Sequence, residues 1–477
     1  MKKICPFATK PSIFYSSSMT DKPHVLILAA GKGKRMHSKL PKVLHPVLFR
    51  PMLHQVIDLA YSLPHSSVSV IVGHEKEQVQ KACTGYPELQ FFHQKEQKGT
   101  AHAVSVSADF LKTVKGQVLI LSGDVCLLRR ESLAALLKEH TEKENHLTFV
   151  TTQLEHPTGY GRVLRDEKGS VCGIREEADA TAPEKAIQEI NAGIYCFDIS
   201  SLLGALEKIQ SGNKQGEYYL TDAIEILVKA HRKVVGFSFA DSQEIHGVND
   251  RKALSEAEGI LQRRTNDALM MAGVTLHQPQ TILIDTKCAF GTDIEIGPGT
   301  QLSASKIESG VIIEGNCRIH DCHIEEGAHI KQGSYLEGSL VGRNAKVGPY
   351  AHLRPESRLG AGVKIGNFVE IKKSTLGEDS KASHLSYIGD AEVGKNVNIG
   401  CGFITCNYDG QKKHKTIIED GVFVGSDTQI VAPLRVGADS YIASGSTVTQ
   451  DVPPGALALS RVKQVNKEGF AKRFKQK

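Results

Sequence analysis

No apolar run in the 477-residue sequence approaches the length that a membrane-spanning helix needs, and no membrane partner is expected. There is no CxxC pair. The ten cysteines therefore read as reduced thiols of a cytoplasmic chain, not as a zinc or disulfide framework. A strong charge imbalance is also lacking. The 58 Lys+Arg against 53 Asp+Glu leave a net charge of +5, which suits small anionic substrates and is too weak and dispersed for a nucleic-acid partner. Both common phosphate fingerprints are missing as well. The stretch HVLILAAGKGKRMHSKLPKVLHPV, from His24 to Val47, closes an apolar run with Gly31 and Gly33. Met36 stands where the dinucleotide pattern needs its third glycine, and the Gly-Lys-Ser/Thr of a Walker loop does not occur there.

What is present divides the chain. Residues 1–22 read as a disordered extension, because Lys10 and Pro11 break the apolar core a secretory signal needs, and Met19 offers a second possible start. Up to about residue 250, strands and helices alternate. Val25–Ala29, Val68–Val72 and Val118–Leu121 read as buried strands, and Met52–Ala60 carries apolar residues at helical spacing. This predicts an α/β domain over 23–249, Rossmann-like, with a mostly parallel sheet whose ligands gather at the carboxyl ends of its strands. Residues 250–275 read as a linker helix with a broken stripe of Leu254, Ala257, Leu261 and Leu269.

From 276 to 477 the grammar changes. Aliphatic residues recur every six positions at Val341, Val347, Leu353, Leu359, Ile365 and Ile371, and again from Val424 through Ile430, Val436 and Ile442 to Val448. A period of six is neither helical nor that of a simple alternating strand. It predicts a parallel β-helix, in which each six-residue side contributes one aliphatic side chain to a continuous core.

The opening loop keeps a chemical use despite its missing fingerprints. Backbone N–H groups around Gly31 and Gly33 can approach phosphates, with Lys32, Lys34, Arg35 and Lys42 nearby, although a solvated basic turn explains such a loop equally well. In LSGDV, Asp124 sits at a strand end where a carboxylate can hold Mg²⁺ on a phosphate; a turn or helix-capping aspartate is the plain alternative. Gln94, Gly99 and Thr100 offer amide and hydroxyl groups to a base edge, or simply form a polar loop. In the repeat, Arg354, Lys372 and Lys373 can bind a phosphate beside His384 and Tyr387, and a histidine near neutral pH can act as a base.

Taken together, LAAGxGxRM…LPK, GTAHA, GD, PTGYGR, INAGI, QGEYYLTD and GVN resemble the sugar-1-phosphate nucleotidylyltransferases. Joined to the hexapeptide half, the chain from about residue 23 to 470 resembles the bacterial bifunctional uridylyltransferase–acetyltransferases of UDP-N-acetylglucosamine synthesis. The resemblance implies a left-handed β-helix, a homotrimer, Mg²⁺, and UTP and acetyl-CoA as co-substrates. It assigns Leu28, Ala29, Ala30, Gly31, Gln94, Gly99, Thr100, Ser122 and Gly123 to the nucleotide and Gly161, Glu176 and Asn191 to the sugar. Arg35 and Lys42 would oppose triphosphate charge, and Asp124 and Asn249 would hold the metal. Arg354, Lys372, Tyr387 and Asn398 would bind glucosamine-1-phosphate, with His384 as general base. Cys401, Asn407, Tyr408, Ser426, Ser444 and Arg461 would surround acetyl-CoA.

Lys34, Ser122, Cys401 and Ser444 depart from the residues usual in that family, and Cys401 reads as a small packing residue, not a nucleophile. Glu370 can orient His384, as carboxylates often do for catalytic imidazoles, and a plain surface glutamate explains it equally well. The long stretch between Ile399 and Val424, which breaks the six-residue rhythm, is expected to be a loop over the acetyl-CoA site. Two other readings compete: a single-activity nucleotidylyltransferase with a non-catalytic, trimerising β-helix, and a binding scaffold without catalysis.

Overall fold

The structure is a computed structural model that describes Lys22–Phe474. The extension read over 1–22 lies outside these residues except for Lys22. The chain forms two compact units, the first ending at Leu261 and the second beginning at Gln262. The expected linker is a single helix, Arg251–Met271, and the division falls inside it.

The first unit is built on a sheet with the order Val234–Ser238, Leu147–Gln153, Glu189–Asp198, Gln117–Ser122, His24–Ala29, Ser67–Val72, Gln90–His93. His24–Ala29 pairs in parallel with both Ser67–Val72 and Gln117–Ser122, as an apolar strand buried on both faces should. Val25 and Ile27 enter one core with the helix Met52–Ser62, while Leu26 enters a second core with Leu202 and Ile224. That alternation places helices on both sides of the sheet. Glu189–Asp198 runs antiparallel to its two neighbours, so the sheet is mixed, and its register shifts between Asn191 and Tyr195. Such a bulge re-aims a side chain. Here it sits at Asn191.

The second unit winds three parallel sheets of 11, 10 and 9 strands. Three successive six-residue sides make one coil, so each core aliphatic stacks on its counterpart in the next coil. Val341 pairs with Leu359, Val347 with Ile365 and Leu353 with Ile371. All lie in one continuous apolar core. The architecture is a parallel β-helix consistent with the left-handed form. The interruption is shorter than the sequence implies, because Ile404–Cys406 and Thr416–Ile418 both remain strands of the helix. Only residues 407–415 leave it. They form an ordered turn: Asp409 Oδ1 accepts the backbone N–H groups of Gln411 (2.8 Å) and Lys412 (2.7 Å).

Candidate active sites, one in each unit

In the first unit, two adjacent parallel strands end side by side, one leading into Ala30–Gly31 and the other into Gly123–Asp124. The Gly123 N–H donates to Leu28 O at 2.9 Å. A Cβ at Gly123 would come within 3.2 Å of that oxygen, so the close approach favours glycine. Gly33 adopts φ 57°, and a Cβ there would lie 2.6 Å from Lys42 Cβ. The basic loop is thereby folded onto the Lys42 stem. Met36 is buried in that loop, and Arg251 Nε donates to its carbonyl at 3.2 Å; Lys34 and Arg35 remain exposed.

Asp124 and Asn249 come together although they are far apart in sequence. The Val248 N–H donates to Asp124 O at 3.1 Å, tying the two loops. Lys42 Nζ donates to Asn249 Oδ1 at 3.0 Å and forms an ion pair with Asp124 Oδ2. A carboxylate and an amide oxygen are hard donors suited to Mg²⁺, which commonly binds through one or two carboxylates and completes its shell with phosphates and water. A cation, the lysine ammonium, already fits between them. The donor set therefore suits the metal the resemblance implies.

The remaining residues of this site are placed by motif-to-motif contacts. Gly99, at φ 107°, packs against the backbone of Tyr218, and Ala101 N–H donates to Tyr218 O at 2.9 Å. Thr100 Oγ1 accepts from Leu220 N–H at 2.9 Å, so GTAHA and QGEYYLTD form one structural unit. Gln94 is buried, and its Nε2 donates to Gly99 O at 3.1 Å. Asn191 N–H donates to Gly161 O (2.9 Å), while its Nδ2 donates to Tyr195 Oη (2.7 Å). Thr221 Oγ1 donates to Glu176 Oε1 at 2.9 Å, and burial holds the Glu176 carboxyl above the usual carboxylate range. A Cβ at Gly161 would lie 3.3 Å from Glu176 Oε2, so Gly161, Glu176 and Asn191 converge. Ser122 lies across from Gly193. Tyr160 was missed in the sequence. Burial raises its pKa, a hydrogen bond with the Gly247 backbone opposes that rise, and the negative charge of Asp124 adds to it, which sets Tyr160 near Asp124.

In the second unit, register aligns the candidates in a column along one edge of the β-helix. Asn367 faces His384, and Ile399, Val424 and Ile442 follow in step on later coils. Cys401, Ser426 and Ser444, each two residues past those aliphatics, therefore continue the line from His384. Arg461 Nη1 donates to Ser444 O at 2.8 Å and brings the C-terminal segment to the same edge. Asn398 belongs to this side too, on the strand next to Lys381–His384.

The next side carries Arg354, Lys372 and Tyr387. Here one expectation is corrected. Glu370 Oε1 accepts from Arg354 Nη1 at 2.8 Å, while the partner of His384 Nδ1 is Asn367 Oδ1 at 3.0 Å. The strand register explains this: Asn367 lies directly opposite His384, whereas Glu370 lies opposite Tyr387 on the neighbouring sheet. Asn407 Nδ2 donates to Asp390 Oδ2 at 2.5 Å. Lys413, not singled out in the sequence, is brought by the 407–415 turn close to Lys372, and the contact with that neighbour, together with its positive charge, pushes the Lys372 pKa down. Two ammonium groups held together want an anion between them. Tyr408 is exposed, and its hydroxyl donates to Gly410 O at 2.7 Å within the turn. The column and the Arg354/Lys372/Lys413 side are separated by one vertex, occupied by Leu385.

The fold and these sites define a nucleotidyltransferase domain followed by a hexapeptide-type β-helix. In agreement, the nucleotidyl transferase family matches residues 24–247, and the GMPPB C-terminal domain family matches residues 278–365. The "Bifunctional protein GlmU" of Trichlorobacter lovleyi is 49% identical over 446 residues, covering 93% of this chain and 97% of that protein. The protein of the same name from Brevibacillus brevis is 44% identical over 474 residues, covering 96% and 98%. The chain belongs to this GlmU family of bifunctional proteins. Among solved structures, the crystal structure of a UDP-glucose pyrophosphorylase complexed with UDP-glucose covers 51% of this chain with TM-score 0.42 and 15% identity.

Proposed function

We infer that the two activities are divided between the two units and run in sequence. The enzyme makes UDP-N-acetylglucosamine: an acetyl group passes from acetyl-CoA to glucosamine-1-phosphate, and the product is then joined to UTP with release of pyrophosphate. The observation that carries this reading is the match to bifunctional relatives across 93% of the chain, so that both units, each with its own polar cluster, are included.

For the acetyl step, His384 acts as general base. Its Nδ1–H donates to Asn367 Oδ1, which leaves the Nε2 lone pair free to take a proton from the sugar amine. The amine attacks the thioester carbonyl, and CoA leaves as the thiol. Arg354, Lys372 and Lys413 hold the sugar phosphate, with Tyr387 and Asn398 beside it. Cys401, Asn407, Tyr408, Ser426, Ser444 and Arg461 form the acetyl-CoA path along the column.

For the uridylyl step, a phosphate oxygen of N-acetylglucosamine-1-phosphate attacks the α-phosphorus of UTP in line, and the chain positions and neutralises. Leu28–Gly31, Gln94, Gly99, Thr100, Ser122 and Gly123 hold the nucleotide, and Gly161, Glu176 and Asn191 the sugar. Arg35 and Lys42 face the departing pyrophosphate. Asp124 and Asn249 hold Mg²⁺, which when bound neutralises phosphate charge.

The β-helix assembles as a homotrimer. What supports association is an apolar ridge beside His384: Tyr350, Phe368 and Leu385 occupy one vertex on successive coils and are 52%, 57% and 58% exposed. All three have positive φ (53°, 57° and 42°), a conformation that costs a non-glycine residue roughly 1–2 kcal/mol. Gly333 and Gly402 fill the same vertex on the flanking coils. Strain of this kind, used to display apolar side chains, fits a surface that a second copy covers. A cytoplasmic location accords with nine described cysteines that all remain thiols.

The test supplies purified protein with glucosamine-1-phosphate, acetyl-CoA, UTP and Mg²⁺, and follows CoA thiol and pyrophosphate separately. Thiol release without pyrophosphate, or the reverse, would reduce the assignment to one activity.

A further inference from the structure

The ion pair of Lys42 with Asp124 stands apart from an ordinary surface pair. The two side chains are only 14% and 20% exposed, and the same ammonium also binds Asn249 Oδ1 at 3.0 Å. It thus occupies both oxygens that the Mg²⁺ reading assigns to the protein. The stem is held in place. Lys42 begins a short 3-10 helix anchored by buried Val43 and Leu44, and the Gly33 backbone packs directly on its Cβ.

An ammonium and a divalent cation cannot share these two oxygens. The donors are already engaged, and a +1 and a +2 charge within a few ångströms repel strongly in a site of reduced dielectric. A triphosphate changes the balance by offering the ammonium anionic oxygens of its own. We propose that Lys42 is an internal cation that holds the divalent-metal subsite closed until a nucleoside triphosphate draws its ammonium away. The lysine thereby has two successive partners: the metal ligands in the free enzyme and the phosphates in the complex. Metal binding by the protein is conditional on the nucleotide, and the apparent affinity for metal alone is reduced by the small fraction of molecules in which Lys42 has released Asp124 and Asn249. The proposal rests on the reading of Asp124 and Asn249 as metal ligands.

The test titrates Mn²⁺ alone, a paramagnetic substitute for Mg²⁺, into the full chain without nucleotide and reads bound metal by electron paramagnetic resonance. Lys42→Met should bind Mn²⁺ more tightly than wild type by about tenfold or more. Adding Asp124→Asn to that variant should remove the gain. Lys42→Gln, which keeps a polar side chain, should tighten binding in the same direction and serves if the methionine variant unfolds. Lys42→Arg, which keeps the charge, should not tighten it. If Asp124→Asn weakens Mn²⁺ binding while neither neutral Lys42 variant strengthens it, the gate is wrong and the metal reading stands. If folded Lys42→Met binds no Mn²⁺ and Asp124→Asn changes nothing, the metal reading falls and the gate with it.

Discussion

Asn367 and His384 lie opposite each other on adjacent coils of the β-helix, with Oδ1 and Nδ1 3.0 Å apart. The amide oxygen can only accept, so the imidazole must donate from Nδ1, and Nε2 is left as the acceptor. A neutral side chain thus selects the tautomer, where a carboxylate would also have raised the basicity of the ring.

Replacing His384 with alanine is expected to lower acetyl transfer by about 10²–10⁴-fold while uridylyl transfer stays near its wild-type rate. Parallel thiol and pyrophosphate assays on the variant decide this. Equal loss, or no loss, in both would remove His384 from the chemistry.

Asn367→Ala removes one hydrogen bond, worth about 1 kcal/mol, so acetyl transfer should fall roughly fivefold to tenfold. Asn367→Asp should move the acid limb of the pH–rate profile upward, because a carboxylate favours the imidazolium. A profile identical to wild type in Asn367→Asp would mean that this contact does not govern the base.

Asp124→Ala should abolish pyrophosphate release and leave CoA release intact. Persistence of uridylyl transfer would contradict the role given to Asp124. Loss of both activities would contradict the separation of the two sites.

Phe368→Asp and Leu385→Asp put charge on the exposed vertex ridge. The expected result in sedimentation equilibrium is a shift from trimer to monomer, with acetyl transfer reduced and uridylyl transfer retained. An unchanged trimer in both variants would take the ridge out of the interface.

Burial pushes the His24 and His140 imidazoles down to about 4 from an ordinary value of 6.5. Between these values the unfolded chain binds protons that the folded chain refuses, so stability rises with pH across that window. The contribution is whole above about pH 6.5 and is lost as pH falls toward 4, by about 3 kcal/mol for each residue. Chemical denaturation of the first unit between pH 7 and pH 5 should show the loss, and His140→Leu should make it shallower. An unaltered slope in that variant would reject the assignment for His140.

Much of this architecture was legible in one dimension, for a physical reason. A β-helix stacks one aliphatic residue per side, so its geometry is written as a six-residue period, and Val341, Val347 and Leu353 lie on three successive sides of one coil. Parallel strands buried on both faces must be short and apolar, which made His24–Ala29 and Gln117–Ser122 visible as well. The antiparallel Glu189–Asp198 was not legible, since direction in a sheet leaves no mark on a strand's composition. The 407–415 turn was overestimated because the inward residue of Ile404–Cys406, six past Ile399, is Thr405 and not an aliphatic, although Ile418 keeps the six-residue spacing to Val424.

Site chemistry divides in the same way. Residue types and motif spacing alone proposed the glycine loop, Asp124 and His384, because backbone approach, metal binding and proton transfer each demand particular side chains. Which atoms meet was decided only by the folded chain. Strand register put Asn367, not Glu370, against His384, and the excursion brought Lys413 to Lys372. Loop closure across the first unit set Lys42 between Asp124 and Asn249. Contacts between residues distant in sequence depend on register and chain reversal, which no local pattern encodes.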